Sequence, residues 1–336
     1  MEALRFGIGR SVVVSVDVDN WKIEKFLEGY LSPFFPDPGC TDNEWQISWS
    51  FQDPLSLMSS LLSVAEEGAL EGNGVIADGE TWLAWHRDSP SDDWTVELLD
   101  EGPRSLTVSI PIGSATPEYI LARAIRSLLA TLACFSHWVQ VHASAFVFEK
   151  RAALVVGTKG VGKTSLLLTA LTSGANFLSN DRVLLTSGPN TVAVRGLPHS
   201  VTVRTGTAAA RIMAATPSSY RDRQPAGLQQ VRYHINDVLA ATRRTVSAEA
   251  TLGLLVIPEV IQQEGILTRR LQANDTTRMI AESYRESISS FDPLWDAWYS
   301  EASQIPEWSD ARGLWVGYNP DSIGLAMDTI REELLR

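Results

Sequence analysis

The sequence predicts an α/β domain built around a phosphate-binding loop, preceded by a smaller, mainly β (α+β) domain. Three observations carry that expectation. Residues 157–164 read Gly-Thr-Lys-Gly-Val-Gly-Lys-Thr, between a strand-like apolar run and a helix-like one. Before about residue 115 apolar and polar residues alternate at period two, with turn chemistry between the runs. Between these regions stands a marked helix start, Thr116-Pro117-Glu118. At 336 residues the chain has room for two ordinary domains, and the boundary is placed near residue 115, giving 1–115 and 116–336.

Composition narrows the classes. Hydrophobic residues make up 44% and charged residues 20%, close to globular averages, which disfavours a disordered, collagenous or coiled-coil chain. With 28 basic against 40 acidic residues the net charge is −12 and the pI about 4.9, so the overall field repels phosphate backbones and anionic membranes. Neither nucleic acid nor membrane is an expected partner. Two cysteines, Cys40 and Cys134, are too few for a disulfide framework, and the N-terminus shows no export signal, so a cytoplasmic location is expected. The apolar stretch from Pro117 to Trp138 is broken by Glu118, Arg123 and Arg126 and reads as a core helix rather than a bilayer span.

In the first region the runs SVVVSVDV, EWQISWSF, GVIADGETWLAWH, DWTVELL and SLTVSIPI predict strands of a mainly antiparallel sheet, with Pro36-Asp37-Pro38-Gly39 and Asp78-Gly79 as turns and a helix over Leu55 to Glu67. Trp21, Trp45, Trp49, Trp82, Trp85 and Trp94 are expected to fill the core of this sheet. The helix after Thr116, read as a hydroxyl N-cap, carries one apolar stripe: Ile120, Leu121, Ala124, Ile125, Leu128, Leu129 and Leu132. VQVHASAFVF and AALVV, joined by Glu149-Lys150-Arg151, read as a hairpin or two consecutive strands. The polar segment SSYRDRQPAG reads as a mobile surface loop. LGLLVIP at 252–258 predicts a strand, and helices are expected around 273–284 and 320–335.

The motif at 157–164 fits Gly, four residues, Gly-Lys-Thr, a pattern that a chain of this length matches by accident about one time in a hundred. Gly157, Gly160 and Gly162 allow backbone turns that aim successive N–H groups inward, so Gly157, Thr158, Lys159, Gly160, Val161, Gly162, Lys163, Thr164 and Ser165 form a candidate anion cradle. A helix starting near Gly162 and closed by Gly174 adds its dipole, Lys163 a flexible cation for the β- and γ-phosphates, and Thr164 a hydroxyl for Mg²⁺. The next short strand ends in Asn180-Asp181, which would set a carboxylate beside the loop. An aspartate at such a turn also commonly caps backbone.

From Val141 to Val183 the chain resembles the catalytic domain of HPr kinase/phosphorylase and related serine-kinase-like proteins. The matching elements are Val141-His142-Ala143, Gly157 to Thr164, Ser173-Gly174 and Asn180-Asp181-Arg182-Val183. The resemblance implies a fold of the HPr kinase/phosphoenolpyruvate carboxykinase type and phosphoryl transfer from ATP, or another nucleoside triphosphate, to a hydroxyl. It makes His142 an active-site histidine, Lys163 and Thr164 phosphate and magnesium contacts, and Asp181 the second acid of a pair. Asn180 stands where the first acid is expected, Lys159 where serine is usual, and Ser165 where glutamate is frequent. Read on its residues alone, a histidine inside VQVHASAFVF fits a buried structural residue better, and the matched spacing to the glycine loop is what favours the active-site reading.

His86, His137, His199 and His234 show no metal-ligand spacing, and no zinc site is expected. Arg204, Arg243 and Arg244 could clamp an acceptor or a transferred phosphate, although solvated surface arginines are the plainer reading. The sequence thus leads to an ATP- and Mg²⁺-dependent kinase acting on a hydroxyl of a protein, peptide or small molecule, with catalysis assigned to Asp181, His142, Lys163 and Asn180 and the metal to Thr164 and Asp181. The first domain would help choose the acceptor, and a homo-oligomer is compatible with this reading. Its alternatives are a nucleotide-dependent switch in which Asn180 marks lost catalysis, and an NTPase without a phosphoryl acceptor.

Overall fold

The computed structural model describes residues 3–8, 12–39, 44–53, 74–78, 80–88, 93–114, 116–188, 191–218, 229–288 and 312–336. The expected helix over 55–67 and nearly all of the expected loop at 218–227 lie outside them. The chain is a mixed α/β structure with several sheets, and contacts divide it into two units: of the described residues, those up to Ser136 and Ile288 fall in the first, and 137–287 and 312–336 in the second. No helix among the described residues is long and apolar enough to cross a membrane.

The first unit contains β1 (Leu4–Ile8), β2 (Val12–Val16), α1 (Trp21–Leu31), β3 (Glu44–Gln52), β4 (Gly74–Asp78), β5 (Thr81–Asp88), β6 (Asp93–Asp100), β7 (Ser105–Pro111) and α2 (Pro117–Phe135). Its sheet runs β1-β2-β3-β7-β6-β5-β4. Pairing is mainly antiparallel, as expected, with two parallel pairs, β2–β3 and β3–β7. The link from β2 to β3 carries α1, which gives it the length that a parallel crossover needs.

Helix α2 belongs to this unit, against α1, β2 and β7, whereas the boundary drawn near residue 115 groups it with the second domain. Ile120, Leu121, Ala124, Ile125, Leu128 and Leu129 are buried, while Leu132 is only half-buried. Thr116 makes no side-chain capping bond, contrary to its reading as a hydroxyl cap; proline in the first turn starts the helix without one. Arg123, which interrupts the apolar stretch, reaches a fully buried carboxylate, Glu97 on β6, at 3.0 Å. The tryptophans divide: Trp45 is buried as expected, Trp21 is 66% exposed, and Trp21, Trp49 and Phe51 line an open cleft with Asp17 and Asp19.

The second unit opens with β8 (Val139–His142), β9 (Ser144–Phe148) and β10 (Arg151–Val155). β9 and β10 form the hairpin suggested by the sequence, with Glu149 and Lys150 both at positive φ (47° and 70°) in a two-residue turn whose hand matches the twist of the strands. Then come α3 (Lys163–Thr172), β11 (Asn176–Ser179), β12 (Arg182–Ser187), β13 (Val192–Gly196), β14 (Val201–Arg204), α4 (Ala208–Met213), β15 (Gln230–Tyr233) and α5 (Ile235–Thr242). The chain ends with β16 (Glu249–Val260), β17 (Ile266–Leu271), α6 (Ala273–Ile288), β18 (Gly313–Tyr318), a single 3-10 turn (Pro320–Ser322) and α7 (Ile323–Leu335).

Among the described residues nine strands form one sheet along β11-β9-β10-β16-β13-β12-β8, with β18 also beside β16 and β17 beside β18. Long β16 is the hub. It lies parallel to β10 along one edge; along the other it pairs first with β13, antiparallel, and then with β18, parallel. Three parallel strands therefore lie side by side and deliver their carboxyl ends to one rim, where open α/β sheets bind ligands. The core of the unit comprises β9, β10, β16 and α3, whose Leu166, Leu167, Leu168, Ala170 and Leu171 are all buried.

Candidate phosphate-binding site

The loop between β10 and α3 lies at that rim. Gly157, Gly160 and Gly162 sit at φ of 137°, 101° and 103°, so the backbone reverses where only glycine does so without strain. Gly162 is the N-cap of α3, and the first helical residues are Lys163 and Thr164, so orphan N–H groups and the positive end of the dipole face the loop. Thr158, Lys159 and Gly160 are exposed; Gly157, Val161, Gly162, Lys163, Thr164 and Ser165 are half-buried. At its far end α3 closes on Gly174 (φ 109°), with the Gly174 N–H bonded to Leu171 O at 3.2 Å and the Ala175 N–H to Ala170 O at 3.0 Å. Lys163 Nζ folds back on the loop, donating to the carbonyls of Gly157 and Thr158.

The turn between β11 and β12 brings Asn180 and Asp181 to the same helix end. Thr164 Oγ1 donates to Asn180 Oδ1 at 3.3 Å, and the Asn180 amide donates to Ser200 O at 3.3 Å. Asn180 is 9% exposed, and its carbonyl accepts from the Ser144 hydroxyl. Asp181 is held among cations and imidazoles: Oδ1 lies 3.7 Å from His142 Nδ1, and Oδ2 lies 3.8 Å from His199 Nε2 and 3.6 Å from Arg182 Nε. Strand register explains the first contact. His142 on β8 pairs with Arg182 on β12, and the Ala143 N–H bonds to Asp181 O at 2.9 Å. The Ser283 hydroxyl on α6 donates to the His142 carbonyl and anchors that strand end.

The sequence-derived candidates thus fall into one neighbourhood: the loop 157–165, the Asn180-Asp181 turn and His142. The arginines separate. Arg204 at the end of β14 places Nη1 3.6 Å from where a Cβ on Gly160 would stand, beside the loop's crest. Arg243 is exposed and ends α5 in a left-handed conformation, while Arg244 Nε donates to Leu171 O at the far end of α3. Two residues escape the sequence reading. His199 follows β13 in a loop with no ligand spacing to mark it. Tyr318 ends β18, and its hydroxyl packs against Gly162.

No family model matches the chain, and no curated protein matches it. Among solved structures it is similar to the Hpr(Ser) kinase/phosphatase from Coxiella burnetii, at 13% identity and a TM-score of 0.30, over 58% of this chain and 96% of that one. The loop and its neighbours, rather than that likeness, carry the functional reading.

Proposed function

We propose that this chain is an ATP- and Mg²⁺-dependent phosphotransferase that moves the terminal phosphoryl group of a nucleotide to a hydroxyl of a protein, peptide or small-molecule acceptor. One observation carries the reading: a glycine loop with a helix N-terminus and a lysine stands hydrogen-bonded, through Thr164 and Asn180, to the turn that holds Asp181 between two histidines. The loop N–H groups and Lys163 supply the anion cradle of a P-loop fold. Thr164 and Asp181 are hard oxygen donors. No cluster of three or more metal-binding side chains exists among the described residues, so a cation here would take its other ligands from phosphate and water, as Mg²⁺ does. Bound Mg²⁺ would neutralise charge on the β- and γ-oxygens.

In the reaction the acceptor oxygen bonds to the γ-phosphorus, the bond from the γ-phosphorus to the bridging oxygen breaks, and the diphosphate leaves. The acceptor's proton passes to Asp181 Oδ1, the carboxylate oxygen facing His142. Arg204, beside the crest of the loop, is placed to offset the charge that builds on the transferred group. These groups chiefly position and neutralise, the main demands of phosphoryl transfer.

A nucleotide-dependent switch is a second reading, favoured by one feature. Asn180 puts a neutral amide where the resemblance leads one to expect an acid, and it already accepts the Thr164 proton. Incubation with γ-labelled ATP, Mg²⁺ and mixed acceptors separates the readings. Label on an acceptor hydroxyl supports the transferase, binding without turnover supports the switch, and release of free phosphate alone supports an NTPase.

A further inference from the structure

Tyr318, at the end of β18, is 2% exposed, and its hydroxyl is buried without a hydrogen-bond partner among the described residues. An O–H removed from water and left without an acceptor costs free energy, so a buried tyrosine without one calls for a reason. The hydroxyl occupies the space where a Cβ on Gly162 would stand; from that point Tyr318 Cζ lies at 3.2 Å and Val260 Cγ2 at 3.9 Å. Burial pushes the phenol up to about 12, which keeps it a donor at neutral pH.

The surroundings hold a surplus of donors. The first turn of α3 offers N–H groups. The loop carbonyls of Gly157 and Thr158 accept from Lys163 Nζ. Backbone N–H groups and a phenol meet at one helix start, with the Lys163 ammonium folded on the loop that leads into it, and such a set is balanced by an oxyanion from outside the chain.

Resting on the nucleotide reading of the loop, we propose that Tyr318 is a further binding residue of this site: its O–H donates to a phosphate oxygen of the bound nucleotide, beside the N–H groups that begin α3. The tyrosine then extends the cradle from β10 to β18, two strands away, and ties the end of the sheet's parallel strands to the ligand. Its hydroxyl is without an acceptor in the free protein and gains one on binding, so removing it has opposite effects on the two states.

The test is Tyr318→Phe in the full chain, with affinities for Mg-ATP and Mg-pyrophosphate measured by calorimetry and thermal midpoints measured without ligand. The expected result is a loss of roughly ten-fold in both affinities, with a ligand-free midpoint equal to or above that of the unaltered protein. Unchanged affinities in the variant, with the unaltered chain binding both ligands, overturn the role of Tyr318 and leave the loop reading standing. A loss confined to Mg-ATP moves the contact off the phosphates and also overturns it. A lowered ligand-free midpoint shows that the hydroxyl already has an acceptor, and this too overturns the role. If the unaltered chain binds neither ligand, the loop reading falls and Tyr318 falls with it.

Discussion

Lys163 and Asp181 divide the labour at the candidate site, and their variants are expected to fail differently. Lys163 holds loop carbonyls in the free protein and is placed to exchange them for phosphate oxygens. Lys163→Ala should therefore weaken Mg-ATP binding about 10- to 100-fold while leaving the circular-dichroism melt cooperative, since charge-assisted contacts to phosphate contribute about 1.5–3 kcal/mol. Unchanged affinity would remove the lysine from the cradle. Asp181→Asn should keep binding within a few-fold and lower turnover at least about 100-fold, the scale of a lost proton acceptor. A fully active Asp181→Asn enzyme would move the base elsewhere. Of this chemistry, the loop and Asp181 are legible in the sequence because spacing along the chain defines them. His199 is not, and Arg204 stands in it only as one of three arginines whose plainer reading is a solvated surface: each reaches its neighbour from a separate strand end, and nothing in the local pattern of Pro198-His199 or Val203-Arg204 announces where that end points.

At the scale of elements, caps and turns decide how firmly the site is held. α3 has no side-chain N-cap because glycine occupies that position, leaving its N–H groups for a ligand. α5 is capped by an imidazole instead: His234 Nδ1 accepts from the Asn236 N–H at 3.1 Å, and the His234 N–H donates to Asp237 Oδ2 at 3.0 Å. An accepting Nδ1 requires a neutral ring. Burial lowers the His234 pKa from 6.5, outweighing the opposing effect of the Asp237 carboxylate. In the window just below pH 6.5 the unfolded chain therefore binds more protons than the folded one, so this contribution to stability is present above 6.5 and is lost as pH falls through the lowered value. Urea titrations from pH 7 to 5 should show that loss, and His234→Asn, which keeps an acceptor without titrating, should show less of it. Parallel slopes for the two proteins would exclude the histidine as the source. Metal spacing gives no sign of the capping histidine, because its role is set by the helix behind it.

For the whole molecule, net charge and site charge oppose each other. The chain carries −12, yet Lys159, Lys163 and Arg204 gather at the loop. Salt screens the long-range repulsion of an anionic nucleotide over a Debye length that shortens from about 30 Å at 0.01 M to about 8 Å at 0.15 M, whereas contacts at the loop lie inside that length. The association rate of Mg-ATP should accordingly rise, about two- to five-fold, between those salt concentrations in stopped-flow measurements. A falling rate would show that the local cations govern encounter. The arrangement of strands belongs to this scale too. β10, β16 and β18 are neighbours although more than 90 residues separate β10 from β16 in sequence, and that order brings Tyr318 to the loop.

The sequence alone determined several strands, among them β2, β3 and β16, the proline start of α2 and the glycine loop, because periodicity, proline and glycine act through neighbours a few residues away; β1, α1, β14, β15, β17 and β18 are not marked by it. It did not determine which sheet would take the apolar stripe of α2, since a stripe records that a face is buried and not what covers it; the structure gives that face to the first unit. Nor could it place His199 beside Asp181 or Tyr318 against the loop. Those meetings depend on strand order and register across a sheet, and hydrophobic burial, being non-directional, writes neither into the local pattern.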